Sequence, residues 1–296
     1  MSKKVSLGSG YELELPSSYI ELKNKSEEEI EKSVSMYPKA YKLWKLMRDD
    51  PEINACWDIA DFIAVAKLHY NDHGEIHAKV VAANALKMLD IILSHGILPD
   101  LMKERAGDED DEHVVVLAGA LLHDIGNQVH REIHPLHSTY LAIPILNRLL
   151  PNIYDDKEVM YEIRGHILHT IYAHGYKVKD LTMEASFIGI ADGTDMTKGR
   201  GRLAFDTGNI NIHTVSALAI EDVEIVKGSE RPIEIRIYMN NSAGIFQVQE
   251  TLAQKISGSP LEKYIDIIAI TTPEDVPRDQ RIVHKLVIRE GKLVPI

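Results

Sequence analysis

Leu121-Leu122-His123-Asp124-Ile125-Gly126 closes the apolar run Val114 to Leu122 with a histidine and an aspartate side by side. A run of that kind predicts a buried helix whose last turn presents two polar side chains. Consecutive helical residues point about 100° apart, so both reach one cation only if it lies beside the helix, close to its axis. Taken alone, a His-Asp pair at a helix end does no more than cap and solvate the turn. The other histidines and carboxylates decide between these readings.

The 296 residues are 45% hydrophobic, enough to bury a substantial core, and predict one large domain with a smaller one. The net charge of −12 excludes broad binding of extended nucleic acid, which needs clustered Lys and Arg. A small anionic substrate remains compatible, because a metal site supplies its own positive charge. A single cysteine, Cys56, excludes internal disulfides and a Cys-rich zinc site and fits a reducing compartment. No stretch approaches ~18 uninterrupted apolar residues, and Met1-Ser2-Lys3-Lys4 opens no hydrophobic signal core. The expectation is a cytoplasmic protein with no membrane contact.

Outward from the His-Asp pair the text is helical. Residues 1–25 read as a short β or irregular arm, with Tyr11-Glu12-Leu13-Glu14-Leu15 alternating before Pro16. Ser26-Glu27-Glu28-Glu29 predicts a helix start, and Pro38 and Pro51 predict breaks. Ile76 to Leu93 has helical spacing with one buried face. Gly107 to Glu112 is an acidic run expected to form a solvated loop. Further helices are predicted over Pro135 to Leu150, Glu158 to His174 and Thr182 to Ala191. After Gly208 the period changes to two, predicting strands over 223–226, 233–238, 264–271 and 282–288, with a helix over 246–256. The fold class expected is α+β: a mostly α-helical bundle followed by a small C-terminal α/β (β-β-α-β-β) domain. The expected division is 1–60, an arm and helices packing on the core; 61–205, the helical domain; and 206–296, the accessory domain.

Most of the fourteen histidines fall between His69 and His174. His73 and His77 stand one helical turn apart, and His130, His134 and His137 follow the His-Asp pair. His166, His169 and His174 come next, then Ala191-Asp192 at the end of another apolar run. Imidazole with carboxylate and no thiolate suits Fe, Mn, Co, Ni, Zn or Mg in sites with open positions. Such a site can lower the pKa of a bound water and aim it at phosphorus. Beyond it, Lys198, Arg200 and Arg202 place three cations within five residues, suited to phosphate oxygens.

His77, His123-Asp124 and Asp192 resemble the ordered H…HD…D motif of the HD-domain metal-dependent phosphohydrolase superfamily, over roughly residues 60–205. The resemblance implies that these four residues bind a metal within a helical bundle and that Asp124 bridges to a second ion. In two-metal members two more histidines contribute. His134, followed four residues later by the small Ser138, and His174, preceding the final aspartate by a loop and a helix, match those positions; His137, His166 and His169 are rivals in nearby register, and His130 is a candidate supporting group. Asn71-Asp72-His73-Gly74-Glu75-Ile76-His77 also resembles the entry motif of cyclic-nucleotide phosphodiesterases, which implies His73 as proton donor to the leaving oxygen. The implied function is hydrolysis of a phosphomonoester or phosphodiester, that of a nucleotide, by hydroxide held on one of two divalent ions. A di-iron oxygenase of the same superfamily and a non-catalytic nucleotide sensor are the alternatives. The Gly-Tyr-Pro signature of the cyclic-di-GMP-cleaving branch is missing, as is a second catalytic domain of the alarmone-enzyme kind. Homo-oligomerisation or effector binding through the C-terminal domain is the remaining expectation.

Overall fold

The computed structural model describes residues 3–7, 11–15, 17–175, 178–197, 212–271, 285–289 and 292–295. The arm is a β-hairpin, β1 (Lys3–Leu7) paired antiparallel with β2 (Tyr11–Leu15), as the alternation predicts. The first helix, α1 (Ser17–Val34), begins directly after Pro16, nine residues before the expected start. Ser26 is no cap there: its hydroxyl donates to the Leu22 carbonyl one turn back, which a helical serine can do without ending the helix. Pro38 and Pro51 open α2 (Pro38–Arg48) and α3 (Pro51–Asp61) at their first turns, where a missing N–H costs nothing.

Two helices form the centre. α4 (Glu75–Ser94) packs against α1 and, after them, α6 (Glu109–Leu122) packs against α4 and α2. Around them stand α7 (His134–Leu149), α8 (Lys157–Ala173) and α9 (Met183–Thr194), with the short α5 (Asp100–Lys103) beside α6 and α9. The expected single apolar face of α4 becomes burial on nearly all sides, because α1, α6 and α9 cover it from three directions. Even Lys79 is buried there, its ammonium paired with Glu27 and Glu75.

The acidic run is not a solvated loop. Asp108 and Asp111 form a reciprocal capping box that starts α6. Asp110 accepts the Lys39 and Ala40 backbone N–H groups at the start of α2, each at 2.9 Å. Lys39 donates to Asp108 and Asp111. Three acids, Asp108, Asp110 and Asp111, thus serve two helix N-termini, where the dipole favours negative charge.

The C-terminal unit begins with α10 (Ile212–Ala217) and a sheet of order β3 (Ile220–Lys227), β4 (Ile233–Met239), β5 (Ile265–Thr271), β6 (Lys285–Arg289), β7 (Lys292–Pro295). β4 and β5 are parallel, and all other neighbours are antiparallel. A parallel pair needs a crossover. It is helical: α11 (Ile245–Gln247), a π turn (Val248–Ala253) and α12 (Gln254–Ile256). The fold is therefore α+β, helices followed by a small sheet, with β7 a strand that the sequence reading did not assign. One continuous apolar core runs from Ile30 and Trp44 through α4 and α6 to Ile235, Leu252 and Ile267, so helices and sheet pack together. The expected boundary at 205 lies outside the described residues.

Candidate metal centre

Five helix ends converge on one place. His77 stands in the first turn of α4; His123 caps the C-terminus of α6, with Asp124 next; His134 opens α7; His174 caps the C-terminus of α8; and Asp192 lies in the last turn of α9. Trp57 of α3 donates its indole N–H to the Leu121 carbonyl at 3.0 Å, fixing the end of α6. Asn84 donates to the Thr194 hydroxyl at 2.9 Å, tying α4 to the end of α9.

The imidazoles are oriented by one local device. Nδ1 of His123, His134 and His174 lies 2.7, 3.0 and 2.5 Å from the carbonyls of Ala120, Arg131 and Ile171, each three residues back. A carbonyl only accepts, so each Nδ1 carries the hydrogen and each Nε2 is left with a lone pair. Nδ1 of His77 instead meets Asp195 Oδ2 at 2.6 Å, a carboxylate acting likewise. All four Nε2 atoms point at Asp124 or Asp192. Asp124 Oδ2 is 3.3 Å from His77 Nε2 and 3.6 Å from His123 Nε2, whereas its Oδ1 is 3.1 Å from His134 Nε2 and 3.7 Å from His174 Nε2. The paired nitrogens are 3.1 Å apart for His77 and His123 and 3.2 Å apart for His134 and His174. Asp192 Oδ1 joins at 3.3 Å from His77 Nε2.

Two donor triads, His77-His123-Asp124 and Asp124-His134-His174, can therefore hold a metal ion, with Asp124 in both. The fit is chemical as well as geometric. Ligand bonds of about 2.1 Å place neighbouring donors about 3.0–3.4 Å apart around one ion. By this geometry the converging atoms are all acceptors, and burial pushes the His123 imidazole down to about 3, so its Nε2 stays unprotonated at neutral pH. His174 is pushed down as well, by burial. Burial alone would raise the Asp124 carboxyl, but in acid the charge taken up at His123 and His73, with hydrogen bonds from His134 and His174, outweighs it and holds the group well below its ordinary value. Asp192 is held low in the same way, the Lys255 ammonium outweighing its burial.

The remaining expected residues fall as follows. His73 is buried beside the centre, its ring centroid 5.6 Å from that of His77. Its Nδ1 lies 2.6 Å from the Asp72 carbonyl, and the Asp72 carboxylate accepts the Gly74 and His77 N–H groups at the start of α4. The rivals are not in either triad: His137 and His169 each keep a buried ring nitrogen without a hydrogen-bond partner. His130 is exposed, its Nδ1 accepting the Glu132 N–H. Lys198, Arg200 and Arg202 lie outside the described residues.

Three residues at the centre escaped the sequence reading. Asp195 sits three positions after Asp192, and its spacing from a metal-type aspartate was the available signal. Arg131 Nη1 stands 4.0 Å from Asp124 Oδ1. Lys255 of α12 reaches in from the C-terminal unit, its Nζ 2.5 Å from Asp192 Oδ2.

No helix among the described residues is long and apolar enough to cross a membrane. No family model matches the chain, and no solved structure matches it. It is 46% identical over 218 residues to the uncharacterized protein MJ1020 of Methanocaldococcus jannaschii, a match spanning 74% of this chain and 84% of that protein.

Proposed function

We propose that this chain, which belongs to the family of the archaeal protein MJ1020, is a metal-dependent phosphohydrolase of the HD-domain kind, acting on a phosphomonoester or phosphodiester, that of a nucleotide. One observation carries the reading: buried acceptors converge from both sides on the two oxygens of a single ionised aspartate, with every imidazole hydrogen already committed elsewhere. Only cations relieve such a cluster. Two divalent ions bound there would supply an activated water and charge stabilisation for a phosphoryl group.

The chain's own residues supply the rest. Asp124 would hold both ions; His77, His123 and Asp192 would complete one subsite, and His134 and His174 the other. Asp195 and the three backbone carbonyls fix the ring orientations. His73, with its Nδ1 hydrogen given to Asp72, can exchange a proton only through Nε2, and we assign it to the leaving oxygen. Lys198, Arg200 and Arg202 follow the final aspartate closely enough to serve phosphate oxygens.

The test is metal content of protein purified without chelator, with hydrolysis of bis-p-nitrophenyl phosphate and p-nitrophenyl phosphate under added Mn, Fe, Co, Ni or Mg. Near two equivalents of metal with ester turnover is expected. Metal without turnover of either ester refutes the hydrolase. Iron retained with oxygen consumption would establish the oxygenase in its place.

A further inference from the structure

We infer that Lys255 is a phosphate-binding residue of the proposed reaction, delivered by the C-terminal unit: its ammonium pairs with Asp192 when no ion is bound and takes a phosphoryl oxygen of the substrate when one is. The inference rests on the phosphohydrolase reading. Three features show that Lys255 is placed rather than passing. Its side chain is 12% exposed, with Nζ on Asp192 Oδ2 and 3.5 Å from the His174 carbonyl, so it touches parts of both subsites at once. Its stem lies on α9 where Gly193 leaves room: a Cβ there would stand 3.1 Å from Lys255 Cδ and 3.3 Å from Leu252 Cδ1. It also lines a cavity of about 370 Å³, together with His174, Gly175, Lys179, Asp180 and Ser257. That volume is in the range that holds a small organic ligand.

The charge arithmetic gives the exchange. A divalent ion taking Asp192 Oδ1 competes with the ammonium for the same carboxylate, and like charges at that range repel. A phosphate ester brings negative charge back within reach of both. Lysine suits this because its ammonium is a point charge on a flexible stem, able to move from carboxylate to phosphate without a fixed fork geometry. The crossover between β4 and β5 thereby has a task at the centre: it carries a lysine to the aspartate at the end of α9.

The experiment is titration calorimetry of the full chain with MnCl₂, and then of the Mn-loaded protein with inorganic phosphate, for wild type, Lys255→Met and Lys255→Arg. The methionine keeps the apolar stem, and thermal unfolding establishes that it folds. Expected are Mn affinity in Lys255→Met equal to or tighter than wild type, since a competing cation is gone, and phosphate affinity weaker by about tenfold or more, the loss of one charge-assisted hydrogen bond. Lys255→Arg should retain most phosphate binding. Unchanged phosphate affinity in a folded, Mn-loaded Lys255→Met overturns the inference while leaving the phosphohydrolase reading intact. Loss of Mn binding in that variant also overturns it, by showing that Lys255 only positions Asp192. Wild type that takes up no Mn and no other divalent ion refutes the function itself.

Discussion

Gly126→Ala is expected to damage one subsite and spare the other. Gly126 sits in the 3-10 turn (Ile125–Gln128) after Asp124, pressed against the start of α7. A Cβ there would stand 2.2 Å from the His134 carbonyl oxygen and 2.4 Å from the Ser138 nitrogen, both backbone. Ordinary contact begins at about 3.4 Å, so the helix must retreat by about an ångström, since backbone cannot rotate away as a side-chain tip can. The retreat carries His134 off Asp124 Oδ1, now 3.1 Å away, and lengthens the 2.8 Å hydrogen bond from the Gly126 N–H to the Ser138 hydroxyl. Metal sites tolerate ligand displacements of only about 0.2 Å. Overpacking of this kind costs about 1–3 kcal/mol, and disturbing a ligand's support costs about 10- to 100-fold in metal affinity. His77 and His123, on elements that do not move, should keep theirs. The assay is metal stoichiometry after dialysis, with thermal unfolding of the metal-free form. Loss of about one equivalent and a lowered midpoint are expected. Two equivalents retained at the wild-type midpoint would refute the packing argument, and loss of both would refute the independence of the subsites.

Asp124→Ala should remove both ions together, whereas His134→Ala should weaken one; metal analysis of the two variants side by side distinguishes them, and equal retention of both ions in His134→Ala would move the ligand to another histidine. The metal-free protein should lose stability as pH falls from about 6.5: the folded His123 imidazole, pushed down by burial, refuses a proton that the unfolded chain accepts, so the unfolded state gains on the order of 1 kcal/mol per pH unit down to about 3. Urea midpoints across that window, flat in wild type, would contradict the assignment. Ile133, exposed and in the left-handed region at φ 52°, turns the chain into His134; Ile133→Gly should raise the unfolding free energy from urea titration by up to about 1 kcal/mol, and a fall would show that the side chain contributes packing instead. Burial and the Glu184 charge push the Glu112 carboxyl up to about 10, so its favourable contribution is lost as pH rises from 4.5; Glu112→Gln should therefore unfold at a higher temperature than wild type at pH 8 and at the same temperature near pH 4.5.

The elements that were legible in the sequence are those whose reasons are local. Pro38 and Pro51 open helices because proline fits a first turn, and the run ending in Leu122 is a core helix because nothing polar interrupts it. The strand alternation of Ile233 to Tyr238 likewise survives into β4. Sequence and structure differ where a partner element decides. Gly107 to Glu112 is polar enough for a loop, yet α2 supplies backbone N–H groups and Lys39 to meet those carboxylates. Glu112 shows the limit of the compositional rule, since it is fully buried with Met102 and Glu184 for neighbours.

The candidate centre divides along the same line. The histidines that face the cluster could be picked out by motif, and the structure adds why they point inward: a histidine at the C-terminal cap of a helix folds Nδ1 back onto the carbonyl three residues earlier, an acceptor left without a helical partner. That device is local, repeated at His123 and His174, and readable once known. Lys255 is different in kind. It is 63 residues from Asp192 and belongs to a crossover helix whose sequence, Gln254-Lys255-Ile256, carries no mark of chemistry. Its position follows from two packing facts, Leu252 buried against α9 and Gly193 yielding space for the stem. No spacing rule within the helical half points to it. A centre assembled from helix ends is therefore legible in the side chains that face it, which obey local geometry, and silent about the cation that a neighbouring unit brings to it.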